Sequence, residues 1–403
     1  MVAAQRGRRN GARGLGRLAG ALAALVVAAA PAAASQLLAP TAGARDGALT
    51  GATGAAPTDL MSAFFQNPAG LALLGAPQAT VGGGLLFMRQ ELSTDFGYHE
   101  TTDNVALAPS AGVALPLAHG LTVGFGIFGA VGSKFDFKRE PDVGVPRDSF
   151  TELGVVTLAP TVAWQPREDL AIGVELNPLF GDLKNHVPTP DQSLRWRLRG
   201  PGVQATLGLL YRFHPQWRVG LTYKTPGKIW MRGTVGVAGQ REDLHFDFDV
   251  PQQFAVSLAW QPLPTLTLMA FGRWTDTSTF EHSTFRFQDT PALDSPFAPE
   301  TQDVYRWGAG VEWRVHPRVA LRSGVARGQN ALEPRSVSPL LVDFNDLILG
   351  AGGGIDVGSW TIDLAGGIGI LDDRKIDATE ARAFPGRFGA SGTVAFWQLT
   401  RRF

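Results

Sequence analysis

Three arginines, Arg273, Arg306 and Arg322, stand in segments where apolar side chains recur at every second position, each on the polar side of that alternation. A guanidinium held away from water can fork a carboxylate through two parallel hydrogen bonds, so these three are candidate partners for an anionic headgroup. Buried charges otherwise need ion pairs, and the same side chains could simply brace a wall. No other reactive constellation emerges. There is no His-Glu-x-x-His, and Gly389-Ala390-Ser391-Gly392 lacks the spacing of a nucleophile elbow. The seven histidines are scattered, with His119, His214 and His316 in expected turns, and cysteine is absent. No catalytic residue, metal site or cofactor is therefore assigned. Gly350-Ala351-Gly352-Gly353-Gly354 has the composition of a phosphate loop, but it falls in an expected strand with no helix behind it.

The elements that would position the arginines can be read from composition and period. Formal net charge is zero and only 18% of residues are charged, which argues against a nucleic-acid partner. Glycine is abundant (49) and tryptophan plentiful (10), a mixture that suits strands meeting a membrane interface. The lack of cysteine fits an oxidising compartment. Arg6, Arg8, Arg9, Arg13 and Arg17 precede an apolar run from Leu18 to Ala30, and Ala32-Ala33-Ala34 forms an A-x-A site. Residues 1–34 are thus expected to be a cleaved signal peptide, since the run is shorter than the roughly 20 residues of a spanning helix. A secreted chain with membrane patterning but no helical span has one option left, a closed barrel in which strands satisfy each other's backbone groups.

Alternation predicts fourteen strands, at 79–91, 104–116, 120–132, 151–165, 169–180, 201–214, 216–231, 252–262, 265–276, 303–315, 318–327, 345–357, 360–370 and 389–402. Tight turns such as 117–119, 166–168 and 316–317 alternate with longer links, up to 277–302. Short turns on the periplasmic side and long loops outside are the pattern of outer-membrane barrels. Trp164, Trp217, Trp260, Trp313, Trp360 and Trp397 cluster at the short-turn ends, and Trp230, Trp274 and Trp307 at the opposite ends, as two interfacial girdles would require. Parity assigns faces. Tyr305, Trp307, Ala309, Val311, Trp313 and Val315 are expected to face lipid, where a charge at the midplane would cost about 2–4 kcal/mol.

Between the expected cleavage site and the first strand, residues 35–78 lack a strand period. Gly, Ala and Thr dominate 41–54, and an apolar cluster follows in Phe64-Phe65-Gln66-Asn67-Pro68-Ala69-Gly70-Leu71. Apolar side chains need somewhere to pack, and the adjacent lumen makes a plug the economical expectation.

This stretch, with Asn67-Pro68-Ala69-Gly70-Leu71, resembles the hatch of the FadL-type long-chain fatty-acid transporters, a family that includes toluene and xylene channels. Similarity continues through Gly202 to Thr225, through Tyr305 to Gly328, and through Asn330 to Pro339 with Asp343-Phe344-Asn345-Asp346. The resemblance implies a fourteen-stranded all-β barrel over 79–403, an N-terminal hatch over 35–78, and ligand contact at Phe64, Phe65, Asn67, Pro68, Ala69 and Gly70. It also implies capture of a hydrophobic ligand by outer loops such as Lys134 to Asp148, and sideways exit at a kinked third strand. Glycine marks bulges in strands, so Gly126, Gly129 and Gly132 are candidates for that kink, Gly129 first. Partners implied are the ligand, outer-membrane lipid and, from the terminal Phe403, the barrel-assembly machinery; Arg401 departs from the apolar ending usual there. A monomer is expected. Aromatic hydrocarbons are the alternative cargo, and an outer-membrane lipid hydrolase and a passive polar porin are the competing classes.

Overall fold

The computed structural model describes residues 41–94, 99–137, 149–188, 193–237, 240–297, 299–337, 341–377 and 385–403. The expected signal peptide, residues 35–40 and most of the loop after Lys134 lie outside them.

Among the described residues, nineteen strands form one antiparallel sheet. They are β1 (Gln78–Thr94), β2 (His99–Pro116), β3 (Leu121–Phe137), β4 (Ser149–Arg167), β5 (Leu170–Pro188), β6 (Ser193–His214), β7 (Trp217–Lys224), β8 (Gly227–Val237), β9 (Gln240–Val250) and β10 (Gln253–Leu263). After these come β11 (Leu266–Thr275), β12 (Ser283–Phe287), β13 (Ser295–Phe297), β14 (Val304–His316), β15 (Val319–Gly328), β16 (Asp346–Val357), β17 (Trp360–Leu371), β18 (Arg374–Ile376) and β19 (Gly386–Arg402). Because β1 pairs with β19 along its whole length, from Gln78↔Arg402 to Thr94↔Gly386, the sheet closes and the barrel has no edge.

The wall has fourteen staves. β7 and β8 both pair with β6 and are one stave broken at Thr225-Pro226; β9 and β10 are the next, broken at Pro251-Gln252. Proline has no N–H to give a ladder, which is why each stave is interrupted there. Three short strands, β12, β13 and β18, belong to the outer loops.

The strand count agrees with the alternation, but the outer boundaries need correcting. Most staves run further than expected at the long-loop end: β1 reaches Thr94, β2 starts at His99, and β9 fills 240–250, between the strands that alternation predicts. Apolar alternation stops where lipid stops, while backbone pairing continues into charged residues such as Arg232 and Asp247. Several outer links are consequently as short as the inner turns.

Burial follows the expected faces. Phe254, Val256, Leu258 and Trp260 are exposed outward, and Gln253, Ser257 and Ala259 are buried inward. Most of the tryptophans named for the girdles are exposed, and Trp217 stacks on Trp260 at 5.2 Å across the β7–β10 pair. Trp196, assigned to neither girdle, points inward and is buried. At the last strand, Arg401 lies over the rings of Trp360 (5.4 Å) and Phe403 (4.7 Å), so its charge borders aromatic faces.

Candidate functional site

Inside the barrel, residues 42–77 fold into α1 (Ala44–Ala48), α2 (Leu60–Phe65) and a 3-10 turn (Pro68–Leu73). Helices this short are not stable alone, so caps and contacts with the wall must hold them. Asp59 caps α2 by accepting from the Met61 and Ser62 amides at 3.1 and 3.2 Å. Asn67 caps the turn through the Ala69 amide, and its Nδ2 donates to the carbonyls of Gly54 (3.0 Å) and Leu209 (3.1 Å), the latter in β6. One fully buried side chain thus ties the turn both to the rest of the plug and to the wall. Arg45 donates to Glu312 of β14 at 2.8 Å, and Gln398 of β19 accepts from the Ala44 amide. Burial alone would lower the Arg45 pKa, but Glu312 and Asp59 outweigh it and hold the guanidinium charged.

Asp46 is the buried acid of the plug. It accepts from Thr53 Oγ1 (2.5 Å), Gln66 Nε2 (2.9 Å) and the Ala42 amide (3.2 Å). Burial pushes its carboxyl up to about 6, with those hydrogen bonds pulling the other way.

Phe64 and Phe65 end α2 against the wall where β2, β3 and β4 meet. Phe64 is fully buried over the backbones of Gly112, Gly124 and Gly126, and a Cβ at Gly126 would stand 2.9 Å from its ring. Phe65 meets Phe128 of β3 edge to face at 5.4 Å. One residue past Phe128 the wall changes. The β2–β3 ladder ends at Ser110↔Phe128, although β2 stays paired with β1 up to His99 and β3 with β4 up to Phe137. Register in the β3–β4 pair shifts between Gly129 and Val131, one residue of β3 having no counterpart, which is a bulge. The β2–β3 seam therefore opens toward the long-loop end directly beside Phe65.

Two cations share this floor. Lys224 of β7 places Nζ 4.7 Å from the Phe65 ring, and Arg273 of β11 donates to Gln66 Oε1. Neither has a carboxylate within ion-pair distance among the described residues, although buried Glu175 of β5 and Asp46 of the plug act on Lys224 from further off, and Asp46 on Arg273. Arg306 is paired with Asp346 at 2.5 Å, and Arg322 bridges Glu312 (2.6 Å) and Asp363 (2.5 Å), extending the chain that begins at Arg45. Above the floor the interior is largely apolar and aromatic, with buried polar pairs at Gln90–Asn104 and Thr151–Asn185. Phe246 of β9 stacks on Phe285 of β12 at 4.0 Å and meets Phe297 of β13 at 5.9 Å, while Phe248 stacks on Phe280 at 5.5 Å. The outer loop 277–302 thus folds its phenylalanines inward.

Phe64, Phe65 and Asn67 lie together at the plug–wall contact, and Pro68, Ala69 and Gly70 form the turn beside β5 and β6. Gly126 seats Phe64, Gly129 immediately precedes the bulge, and Gly132 pairs in register with Gly154 beyond it. Lys224 was not singled out, although its parity with inward Thr222 could have found it. Asp46 and Gln66 carry no sequence signal beyond polarity in an apolar segment. A broad outward depression of about 1050 Å³ between Leu268 and Val394 faces lipid and includes none of these residues.

A closed barrel whose lumen is plugged by its own N-terminal segment, with an apolar interior above the plug, defines an outer-membrane channel for hydrophobic cargo. A family profile described as outer membrane protein transport protein (OMPP1/FadL/TodX) matches residues 23–365, and the chain belongs to that family. It is an outer-membrane transport protein for hydrophobic molecules. A Pseudomonas aeruginosa FadL homologue superposes with a TM-score of 0.80 at 14% identity, covering 91% of this chain and 100% of that one. The Pseudomonas putida toluene transporter TodX gives 0.72 at 16%, covering 90% and 99%, and the Ralstonia pickettii toluene transporter TbuX 0.71 at 18%, with the same coverage. A sequence search of curated proteins finds no match.

Proposed function

We propose that the protein imports long-chain fatty acids. In this reading residues 1–34 are a signal peptide, 35–78 the hatch and 79–403 the barrel, and the mature chain works as a monomer inserted by the barrel-assembly machinery. The outer loops catch the acyl chain, the aromatic interior carries it to Phe64 and Phe65, and it leaves sideways through the seam between β2 and β3. Gly126, Gly129 and Gly132 border that exit.

The observation that carries the fatty-acid assignment is the pair of cations at the inner end of the apolar path. Lys224 beside Phe65 and Arg273 beside Gln66 have no carboxylate within ion-pair distance among the described residues, Glu175 and Asp46 acting on them only from further off, so a ligand carboxylate would make the direct pair they lack. Arg306 and Arg322 already have theirs. The similar structures described as toluene transporters favour a second reading, aromatic hydrocarbons, in which the two cations meet no ligand charge. No catalytic role enters either reading.

Uptake of radiolabelled oleate and toluene by cells with and without the gene separates them. Gene-dependent uptake of oleate alone supports the first reading and of toluene alone the second. Equal uptake of both with and without the gene overturns transport.

A further inference from the structure

A second charged feature lies outside the lumen. On the outward face, above the aromatic girdle at the long-loop end, cross-strand register lines up Arg199 of β6 with Arg232 of β8, Arg232 with His245 of β9, and His245 with Arg286 of β12. Three arginines and a histidine therefore form one unbroken row across four adjacent strands, the charge resting on the arginines because burial and Arg232 hold the His245 imidazole below its usual basicity. Like charges directly opposite one another destabilise a sheet, so the Arg199–Arg232 pair carries a cost that neighbouring carboxylates should remove if it served the fold alone. They remove part of it. Asp182 contacts both Arg197 and Arg199, and Asp247 contacts both Arg232 (2.6 Å) and Arg286 (3.4 Å). With Asp243, which acts on His245 from further along β9, three acids serve four guanidiniums, and the guanidiniums remain 42–59% exposed.

The height of the row identifies what meets it. Two residues nearer the membrane on the same outward face stand Trp230 of β8 and Phe180 of β5, both well exposed. Strands rise about 3.3 Å per residue, so the arginines sit about 7 Å above the aromatic belt, at headgroup level in the leaflet on the long-loop side. In an outer membrane that leaflet is built from a saccharolipid whose glucosamine headgroup carries phosphates. Guanidiniums fork phosphate oxygens as they fork carboxylates, and a row spaced at the strand separation of roughly 4.8 Å presents several such forks to one headgroup.

We propose that Arg199, Arg232, His245 and Arg286 form a docking surface for the phosphorylated headgroup of lipopolysaccharide. The bound lipid supplies the anions that the row lacks and fixes the β6–β9 side of the barrel in its leaflet. This surface is outside the lumen and independent of which cargo is carried.

Native mass spectrometry of the purified full-length protein in a neutral detergent tests it, with lipid A bearing both phosphates, lipid A stripped of phosphate, and inorganic phosphate as probes. Bisphosphorylated lipid A is expected to bind at least about tenfold more tightly than the stripped form. Inorganic phosphate at equal concentration is expected not to displace it. The triple change R199Q, R232Q and R286Q should lower lipid A binding about tenfold, whereas R89Q, R327Q and R387Q, equally exposed arginines elsewhere on the rim, should leave it unchanged. Equal binding of the two lipid A forms by the unsubstituted protein overturns the proposal, and that comparison needs no variant to fold. Displacement by inorganic phosphate, or the same loss in both triple variants, overturns it as well.

Discussion

The Lys224 ammonium lies 4.7 Å from the centroid of the Phe65 ring, so a cation of the wall rests on the aromatic side chain that ends the plug's second helix. With Arg273 bound to the next plug residue, Gln66, the charged floor of the lumen is organised by the plug itself.

Replacing Lys224 with Met should weaken binding of oleate and leave toluene unaffected. A hydrogen bond to a charged group contributes about 1.5–3 kcal/mol, which corresponds to a loss of roughly tenfold or more. Equilibrium binding of the two ligands to purified protein measures this, and equal losses for both would remove the carboxylate role.

The seam can be clamped. An ideal Cβ on Gly129 would stand 3.9 Å from the Cβ of Ala108, within the 3.5–4.5 Å range of disulfides. Because the chain has no cysteine, the double change Ala108→Cys and Gly129→Cys gives a single possible pair. Oxidation should slow ligand uptake several-fold and reduction restore it. Uptake unchanged by oxidation, with the disulfide confirmed by mass, would place the exit elsewhere.

Gly126→Ala should loosen the plug, since the new methyl would stand 2.9 Å from the Phe64 ring. Overpacking of this kind costs about 1–3 kcal/mol. A cysteine introduced at buried Ala63 should then become reactive to maleimide. Adding Phe64→Ala removes the clash, so the double variant should be less disturbed than the sum of the single ones.

Docking of the plug should weaken as pH rises from about 4 to about 6. The Asp46 carboxyl is pushed up from 3.8 to about 6 when buried, so the docked state holds a proton that the released state has lost in that window. The docked state is therefore favoured most below the released pKa, loses stability as pH rises through the docked one, and is insensitive above it. The shift corresponds to roughly 3 kcal/mol. Asp46→Asn should flatten the dependence, read as protease sensitivity of the plug across that pH range.

Strand number, the inward and outward faces and the tryptophan girdles were legible in the residues because each depends on local physics. Side chains alternate across a strand regardless of what it pairs with, and lipid tolerates neither charge nor an unpaired backbone group. Even the plug could be inferred, since Phe64 and Phe65 must be buried somewhere. Where each stave ends could not, because pairing outlasts the apolar period in residues such as Arg232 and Asp247.

The floor of the lumen was decided only by the tertiary structure. Arg273, Arg306 and Arg322 look alike in sequence, yet closure of the barrel puts Asp346 beside one, Glu312 and Asp363 beside another, and the plug's Gln66 beside the third. Lys224 acquires its place through Phe65, 159 positions earlier in the chain. The unzipped seam is likewise a property of two strands at once: β3 carries the bulge, but the opening exists because β2 keeps its other partner and does not follow. Periodicity describes one strand at a time, and which charges meet in the lumen depends on register and on a plug whose position no strand period encodes.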